Sequence, residues 1–348
     1  MKHWLITLTN WYSNHHRKLP WRETNEPYKI WISEIIFQQT RINQGMEYYI
    51  KFMKIFPDIQ TLANSSIEEV LKVWQGLGYY RRALHLYETA KIIVNEFNGN
   101  FPDSYNEIIQ LKGIGSYTAA AIASICFDEK IPVVDGNVHR LFCRFYAKNF
   151  SRNSRMFYEL VKKEALVAMK SYHAGLVNQS MMDYGAIVCK PLKPLCQDCV
   201  LKKECRAFAE QLVQYFPLKA SKKKLQTQYF YFYFVHDKLF CYLKKRTCNG
   251  IWKGLYEFPM IEVKDNIQPK VSEVPFLRGL TINTIQSTKC IKHVLSHKII
   301  YATLITLEVQ KLEASKGLKK VLIKDLFKYP MSKLMEKFIA HIDKMLVS

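Results

Sequence analysis

The spacing of apolar residues changes once along this chain. Before residue 216 apolar side chains recur at helical intervals, whereas after residue 229 they alternate as they do in strands. Residues 229–235 and 239–244 are predicted to form a β-hairpin, and helices are predicted near residues 332–345. The pattern therefore predicts a mainly α region followed by an α+β domain.

A segment rich in lysine separates the two patterns. It contains the sequence PLKASKKK at residues 217–224. A chain of 348 residues can bury a large core and is long enough for two domains. We expect a first domain at 1–216, a linker at 217–228 and a second domain at 229–348.

The net charge of the chain indicates which classes of binding partner to expect. The formal net charge is +21, and the excess of lysine and arginine extends over both halves of the chain. Such a surface favours a polyanion, above all nucleic acid, with an acidic membrane surface as the competing partner. The sequence has no apolar run of spanning length, no lipidation motif and no signal peptide. We expect a cytoplasmic, nucleoid-associated monomer that does not bind membranes.

Two Gly-x-Gly turns lie between predicted helices. In the first, Gly76 and Gly78 are followed by Tyr79, Arg81 and Arg82, so an aromatic ring and two cations adjoin the turn. Aromatic rings stack on unpaired bases, and guanidinium groups hold phosphates.

The second turn contains Lys112, Gly113 and Gly115, and a helix of small residues starts near Tyr117. Glycines leave the backbone bare and can take positive φ, so the amides at the next helix N-terminus can approach a phosphate. Lys112 would lie on the phosphate side. An ordinary αα-hairpin would show the same glycines, so this pattern alone does not distinguish a phosphate-binding hairpin from a purely structural one.

Two acidic residues occupy unusual positions. Glu34 is the single carboxylate in the apolar helix YKIWISEIIFQQT, where burial should raise its pKa. Asp135 precedes a predicted helix, and there the helix amides and dipole should keep it ionised. A pair of carboxyl groups whose pKa values are pushed in opposite directions is typical of a site with one general acid and one charge-stabilising anion.

Four of the nine cysteines form a compact cluster, C-x6-C-x2-C-x5-C, made of Cys189, Cys196, Cys199 and Cys205. Such a cluster favours a reducing compartment and a metal centre over a disulfide framework. By spacing alone, structural zinc and an iron–sulfur cluster are both possible.

The hairpin, the following aspartate and the cysteine cluster together resemble the helix-hairpin-helix DNA glycosylase superfamily, and further motifs resemble its MutY-type adenine DNA glycosylases. The cysteine spacing matches the one that holds a [4Fe-4S] cluster in these proteins and in endonuclease III. The resemblance implies a mainly α helix-hairpin-helix glycosylase region with one [4Fe-4S] cluster at 189–205, followed by an α+β Nudix-like domain.

The second domain carries its own motifs. GIWKGLYEFP at residues 250–259 resembles the signature of the adenine glycosylase C-terminal domain, and no REx2E-type Nudix hydrolase box is present. The domain is therefore expected to have a recognition role and not to contain a second hydrolase site. Leu295, Ser296 and His297 are similar to the family's Phe-Ser-His loop, which contacts 8-oxoguanine. Leucine cannot stack as phenylalanine does, so we expect weaker lesion discrimination.

The resemblance also implies roles for single residues. The catalytic group would comprise Glu34, Asp135, Tyr117 and Asn137, and the adenine pocket would comprise Arg17, Trp21, Phe37 and Gln179. Gln39 and Tyr79 would enter the duplex. Tyr117 stands where endonuclease III has its Schiff-base lysine, which implies a monofunctional enzyme without efficient strand cleavage.

The resulting hypothesis is a base excision repair enzyme that removes adenine paired with 8-oxoguanine or guanine in double-stranded DNA. Glu34 would protonate N7 of a flipped adenine, and Asp135 would stabilise or capture the oxocarbenium-like sugar. Two alternatives stay open: a bifunctional endonuclease III-type glycosylase/lyase, and a non-enzymatic iron–sulfur DNA-binding sensor. The two carboxylates argue against the sensor, because binding an anionic backbone requires neither.

Overall fold

A computed structural model describes residues 3–218 and 225–347 of the chain, which form two compact units. The first unit comprises Met1–Ala63 and Glu88–Ala220, and the second comprises Asn64–Tyr87 and Ser221–Ser348. The sequence prediction had assigned residues 64–87 to the first domain, whereas the structure groups them with the C-terminal half. Half of the predicted linker, residues 219–224, lies outside the described residues.

The α-helices of the described residues lie mainly in the first two thirds of the chain, and the last one follows the strands of the second unit. Their bounds are α1 Trp4–His15, α2 Pro27–Ile36, α3 Ile42–Ile55, α4 Ile59–Asn64, α5 Ile67–Val73, α6 Arg81–Glu96, α7 Tyr105–Ile108, α8 Ser116–Phe127, α9 Gly136–Phe145, α10 Arg155–Ala168, α11 Ala174–Ile187, α12 Arg206–Ala209 and α13 Lys333–Val347. A 3-10 turn at Pro20–Arg22 follows α1. In the described residues, no helix has both the length and the apolar character of a membrane span.

Helix α8 forms the centre of the first unit. Its sequence SYTAAAIASICF is rich in alanine, and residues 118–125 are all buried. Small side chains let α2 and α11 pack closely on α8. Gly175 of α11 lies against α8 so closely that a Cβ there would be 2.7 Å from the Cα of Ile125. The second core of this unit joins α1, α9, α10 and α11 around aromatic residues such as Phe142 and Phe157.

Several predicted helix boundaries are confirmed. Helix α8 begins at Ser116, directly after the second Gly-x-Gly turn, and Asp135 is the N-cap of α9. A capping box of Ser66 and Glu69 starts α5. These outcomes follow from local hydrogen bonding, which a sequence motif specifies directly.

The second unit contains a mixed sheet. Its strands are β1 Gln226–His236, β2 Phe240–Lys245, β3 Tyr256–Glu257, β4 Met260–Val263, β5 Ile282–Val294, β6 Lys298–Val309 and β7 Lys319–Leu322. The order is β3-β2-β1-β6-β5, with β4 paired to β1 and β7 paired to β2. The predicted hairpin is confirmed as β1 and β2, and β1 begins at Gln226, inside the segment predicted as linker.

Both faces of β1 are covered. Phe232 packs on Phe338 of α13, while Tyr233 on the opposite face packs on Phe276. The apolar run in β1 is therefore almost continuous rather than alternating, as expected for a strand buried on both faces.

The signature at residues 250–259 has a packing role. Gly254 has φ +86°, and a Cβ there would lie 3.0 Å from Leu71 of α5. Trp252 is buried against Phe230 and His293. The signature therefore joins the sheet to residues 64–87 within the second unit.

Candidate active site and cysteine loop

Glu34 lies near the C-terminal end of α2 with buried residues on both sides of it in sequence. Ser33 and Ile35 are almost fully buried, whereas Glu34 is partly accessible to solvent. Burial raises the pKa of Glu34 to about 7, and repulsion from Asp135 adds to this effect. A hydrogen bond from Tyr117 and the charge of Arg22 act in the opposite direction. Glu34 is therefore an acid that is still half protonated near neutral pH.

Asp135 caps α9 with several hydrogen bonds. Its Oδ1 accepts from the amides of Asn137 at 2.8 Å and Val138 at 2.7 Å, and its Oδ2 accepts from Nδ2 of Asn137 at 2.6 Å. Burial raises the pKa of Asp135 above its usual value, and the hydrogen bonds from Val138 and Asn137 act in the opposite direction. That the helix N-terminus keeps Asp135 ionised stays a prediction.

Three donated hydrogen bonds nevertheless favour the anion of Asp135, whereas Glu34 has a raised pKa of about 7 and a bond from Tyr117. The two carboxyl groups therefore have different surroundings, because three hydrogen bonds are donated to Asp135 and one from Tyr117 to Glu34.

Tyr117, in the first turn of α8, lies between the two carboxyl groups. Burial raises its pKa well above 10, with further contributions from the charges of Glu34 and Asp135. Its hydroxyl lies 3.4 Å from Sδ of Met182 and is close enough to Glu34 to hydrogen bond with it. Tyr117 is thus a neutral hydroxyl group at any physiological pH.

A buried ion-pair network lies beside this pocket. The carboxylate of Asp183 in α11 is fully buried and pairs with both Arg17 and Arg22. Arg22 Nη2 donates to Oδ1 of Asp183 at 2.7 Å, and Arg17 Nε donates to the same atom at 3.0 Å. Although burial opposes it, hydrogen bonding to these two arginines lowers the pKa of Asp183.

Gln179, one turn before Asp183, accepts a hydrogen bond of 2.9 Å from the hydroxyl of Tyr12. Tyr12 is 3% exposed, and the guanidinium of Arg22 lies over its ring at 5.6 Å from the centroid. Of the predicted adenine-pocket residues, Arg17 and Gln179 thus belong to one network with Arg22, Asp183 and Tyr12.

The other two predicted pocket residues pack together. The rings of Trp21 and Phe37 lie 4.4 Å apart, and Trp21 also contacts Tyr49. Gly45 provides room for Phe37, since a Cβ at Gly45 would lie 2.6 Å from that ring. Trp21 is 7% exposed, so its indole mainly supports Phe37.

Asn137 connects Asp135 to the neighbouring helix. Its Oδ1 accepts from Nη2 of Arg140 at 2.9 Å, and the same nitrogen donates to the carbonyl of Gly185 at 2.6 Å. A Cβ at Gly185 would lie 2.7 Å from Cβ of Asn137. Helices α9 and α11 therefore touch at backbone distance next to Asp135.

The second Gly-x-Gly turn presents its glycines differently. Gly113 has φ +78°, whereas Gly115 has φ −95° and caps α8. A Cβ at Gly115 would meet no atom within 4 Å, so the space in front of the α8 amides is open. Lys112 forms an exposed ion pair with Glu88 at 2.5 Å.

Two predicted duplex-entering residues have left-handed backbones. Gln39 has φ +57° in the exposed turn after α2, and Tyr79 has φ +49° with 48% of its surface exposed. Arg81 is exposed at the start of α6. Arg82 instead lies over the rings of Trp74 and Tyr79 and donates to the carbonyl of Gly78.

Leu295, Ser296 and His297 form the tip of the β5–β6 hairpin. The amide of Leu295 donates to the carbonyl of Lys298 at 2.8 Å, which closes the turn. Ser296 and His297 are exposed and lie within hydrogen-bond distance of each other. The tip therefore presents two polar side chains to solvent.

The four clustered cysteines line one apolar cavity, whose other walls include Leu141, Phe145 and Val188. No three of the described His, Cys, Asp and Glu residues lie close enough together to hold a single ion. Arg144 of α9 is 3% exposed and donates to the carbonyl of Lys190 at 2.7 Å and towards Sγ of Cys189 at 3.4 Å. Tyr184 contacts Sγ of Cys199 at 3.0 Å.

Sequence reasoning missed Arg22 and Asp183 as members of the site. Asp183 lies in the segment MMDYG, where one carboxylate is surrounded by apolar residues, as Glu34 is in α2. That same signal could have identified Asp183. Its partners at Arg17 and Arg22 lie more than 150 residues away in the sequence and could not have been identified this way.

Two family models match the chain, one in each half. Residues 32–164 match the model of HhH-GPD superfamily base excision DNA repair proteins, and residues 230–341 match that of NUDIX domains. A helical fold with a Gly-x-Gly hairpin and a pocket with two carboxyl groups thus defines a helix-hairpin-helix DNA glycosylase.

A relative described as adenine DNA glycosylase, from Buchnera aphidicola, is 38% identical over 309 residues, covering 88% of this chain and 86% of the relative. The chain belongs to the adenine DNA glycosylase family.

Solved structures support the fold of the helical part. A thermostable thymine-DNA glycosylase matches with a TM-score of 0.55 and 28% identity, covering 60% of this chain and 95% of its own. Endonuclease III in a DNA complex matches with a TM-score of 0.52 at 19% identity, covering 61% and 96%. The helical fold is therefore that of endonuclease III, as the sequence analysis predicted.

Proposed function

We propose that this protein hydrolyses the N-glycosidic bond of adenine that is mispaired with 8-oxoguanine or guanine in double-stranded DNA. Family membership supports the adenine glycosylase activity, and the observation that supports the mechanism is the pairing of Glu34 with Asp135 in one pocket. The adenine must leave the base stack to reach these groups, as in other enzymes that act on bases.

Glu34 acts as the general acid. With a pKa of about 7 it carries a proton in about half of the molecules at neutral pH and can transfer it to N7 of adenine. Protonation turns the purine into a better leaving group. After transfer, Glu34 is an anion next to Tyr117, whose hydroxyl donates to it and can help to orient the attacking water.

Asp135 supports the sugar. As the C1′–N9 bond breaks, positive charge develops on the deoxyribose, and a carboxylate anion nearby stabilises it. The amides of Asn137 and Val138 fix Oδ1 of Asp135, and the side chain of Asn137 fixes Oδ2. Asn137 therefore acts by aiming the carboxylate as well as by binding water.

Gln179, Arg17, Trp21 and Phe37 form the proposed adenine pocket. An amide is suited to an adenine edge, since its oxygen accepts from the N6 amine and its nitrogen donates to a ring nitrogen. The ring of Phe37, supported from behind by Trp21, provides an apolar surface on which a purine can stack.

The enzyme is proposed to be monofunctional. A lyase of the endonuclease III type requires an amine that forms a Schiff base with the sugar. Tyr117 is a buried neutral phenol and cannot form one. Trapping with borohydride on DNA with an abasic site should therefore yield no covalent complex.

DNA contacts come from several exposed elements. Gly113 and Gly115 let the α8 amides approach a phosphate, and Lys112 adjoins this turn. Arg81 follows the other Gly-x-Gly turn and can contact a second phosphate. Gln39 and Tyr79 are proposed to occupy the space that the flipped base leaves. Leu295, Ser296 and His297 are proposed to contact the lesion, with Ser296 and His297 supplying hydrogen bonds to its altered edge.

One [4Fe-4S] cluster is proposed at Cys189, Cys196, Cys199 and Cys205. The four thiols fit this group because they line one cavity that is otherwise apolar, at the spacing that binds it in related proteins. Thiolates at four corners each bind a different iron, so they need not converge on a point. A bound cluster would tie the two ends of the loop at residues 189–205 to each other.

A direct experiment uses the Glu34→Gln variant on a duplex with adenine opposite 8-oxoguanine. We expect wild-type-like binding with loss of adenine release, because glutamine keeps the shape of glutamate but has no proton to give. Wild-type turnover by this variant would refute the mechanism. Parallel duplexes with adenine opposite guanine, and with thymine glycol in place of adenine, separate the proposed substrate from that of endonuclease III-type enzymes.

A further inference from the structure

The turn that carries Tyr79 has an unusual backbone. Gly76 has φ +95°, Gly78 has φ +80° and Tyr79 has φ +49°. A non-glycine residue in the left-handed region costs about 1–3 kcal/mol and persists only where its surroundings fix it. The ring of Tyr79 is 48% exposed, so burial of its own side chain gives little compensation.

Part of the support comes from the turn's own segment. The carbonyl of Gly78 accepts hydrogen bonds from Nε1 of Trp74 and from Nη2 of Arg82, both at 3.1 Å. The guanidinium of Arg82 lies between the rings of Trp74 and Tyr79, at 5.2 and 5.5 Å from their centroids. These contacts hold the C-terminal side of the turn.

The remaining support comes from a segment some 250 residues later. The hydroxyl of Tyr80 accepts from the amide of Gly76 at 3.1 Å and donates to the carbonyl of Met331 at 3.2 Å. Oε1 of Gln75 accepts from the amide of Met331 at 3.2 Å, and its Nε2 donates to Glu336 at 2.7 Å. Both backbone groups of Met331 are thus bonded by the two residues that flank the turn.

Met331 is itself fixed in the Nudix-like part. It is 2% exposed and forms a β-bridge with Tyr256, and the amide of Tyr256 bonds the carbonyl of Pro330 at 2.9 Å. Tyr256 belongs to the signature at residues 250–259. The turn and the Leu295–His297 hairpin tip are therefore parts of one compact unit, whereas Glu34 and Asp135 belong to the other.

We propose that Gln75 and Tyr80 are positioning residues through which the Nudix-like domain orients Tyr79. Neither residue needs to touch the substrate. The domain that contacts the lesion would thereby also hold the aromatic ring that opens the duplex, so that lesion contact and base extrusion are linked. The inference depends on the proposed role of Tyr79 in the duplex.

The test uses Tyr80→Phe and Gln75→Met, which remove the hydrogen bonds but keep the side-chain volumes. The probe is a duplex with 2-aminopurine in place of the target adenine opposite 8-oxoguanine, whose fluorescence rises on extrusion. We expect extrusion to slow about tenfold in the double variant. The amide of Gly76 and both backbone groups of Met331 lose a hydrogen-bond partner, so the turn that carries Tyr79 is held less firmly. The pH dependence of subsequent base release should stay as in the wild type.

Glu68→Gln is the matched control. It removes the ion pair between Glu68 and Lys245 of β2, which joins residues 64–87 to the sheet at a place away from the turn and from Met331. This control should extrude the base at the wild-type rate. Thermal unfolding of all variants verifies that they fold.

Tyr79→Ala completes the design. Its extrusion defect should equal or exceed that of the double variant, and adding Tyr80→Phe to it should cause no further loss. Wild-type extrusion by the double variant, or full additivity with Tyr79→Ala, would overturn the positioning role. A wild-type rate for Tyr79→Ala alone would instead refute the proposed role of Tyr79.

Discussion

The hydroxyl of Tyr12 donates a 2.9 Å hydrogen bond to Oε1 of Gln179, which joins the first helix of the chain to the proposed adenine-binding edge. Because the phenol is buried, with its pKa raised to about 12, it acts as a donor under all physiological conditions. The bond therefore fixes which way the Gln179 amide points. A fixed amide distinguishes the 6-amino group of adenine from the 6-oxo group of hypoxanthine.

Replacing Tyr12 by phenylalanine should reduce this discrimination. Without the hydroxyl, the Gln179 amide can turn over and meet either group, so the ratio of kcat/KM for adenine over hypoxanthine should fall about fivefold. Base release from duplexes carrying each base measures the ratio. Tyr172→Phe is the matched control, since it removes an exposed hydroxyl bonded to Asn10. An unchanged ratio in Tyr12→Phe would contradict the argument.

The rate of base release should depend on pH through Glu34. With a pKa of about 7, this acid is protonated below pH 7 and loses its proton above it. Single-turnover adenine release should therefore be level below about pH 7 and fall about tenfold per pH unit above it. The Glu34→Gln variant should show a low rate with no such step. If the rate of the variant also fell above pH 7, the titrating group would be a residue other than Glu34.

The same pKa predicts a change in stability. A carboxyl group whose pKa is raised from 4.5 to about 7 on folding binds more protons in the native state between these values. The free energy of unfolding should therefore fall as the pH rises from about 4.5 to 7, by roughly 3 kcal/mol at most. Urea unfolding at pH 8 should find Glu34→Gln more stable than the wild type, with little difference at pH 4.5. Equal stability at both pH values would show that Glu34 is solvated.

Gly185→Ala should destabilise the protein by about 2 kcal/mol. The added methyl group would lie 2.7 Å from Cβ of Asn137 and 2.8 Å from its carbonyl oxygen, and neither helix can yield easily. Gly115→Ala is the contrast, because φ there is −95° and a Cβ meets nothing within 4 Å. Its unfolding free energy should stay within about 0.5 kcal/mol of the wild type, while DNA affinity falls. Thermal unfolding and fluorescence anisotropy measure the two effects.

Cys199→Ser should abolish the visible absorption of the proposed cluster and the iron content of the purified protein. Cys199 lines the cavity with the other three thiols and contacts Tyr184. Cys290→Ser is the control, because Cys290 is exposed on β5 and has no place in that cavity. Stoichiometric zinc in place of iron in the wild-type protein would contradict the cluster assignment.

Local motifs made part of this site predictable. Asp135 was identified as an N-cap, and Glu34 as a lone carboxylate in an apolar helix, because both features depend on neighbours in sequence. The effect of burial on the pKa of Asp135 could not be predicted in this way, since it depends on how deeply the assembled fold buries the cap.

Long-range relationships were harder to predict. The pairing of Asp183 with Arg17 and Arg22 links distant parts of the chain. The association of residues 64–87 with the C-terminal half rests on hydrogen bonds such as that from Tyr80 to Met331, and nothing in either segment indicates its partner.

The close contact at Gly185 has a consequence for the proposed site. Gln179 and Asp183 are on α11, and Asp135 precedes α9, so the close approach of the two helices at Gly185 would hold the proposed base-reading residues and the proposed sugar-facing carboxylate on one packed pair of helices. A change of base preference on this scaffold would thus come from exchanging side chains on a fixed frame, not from sliding one helix along the other.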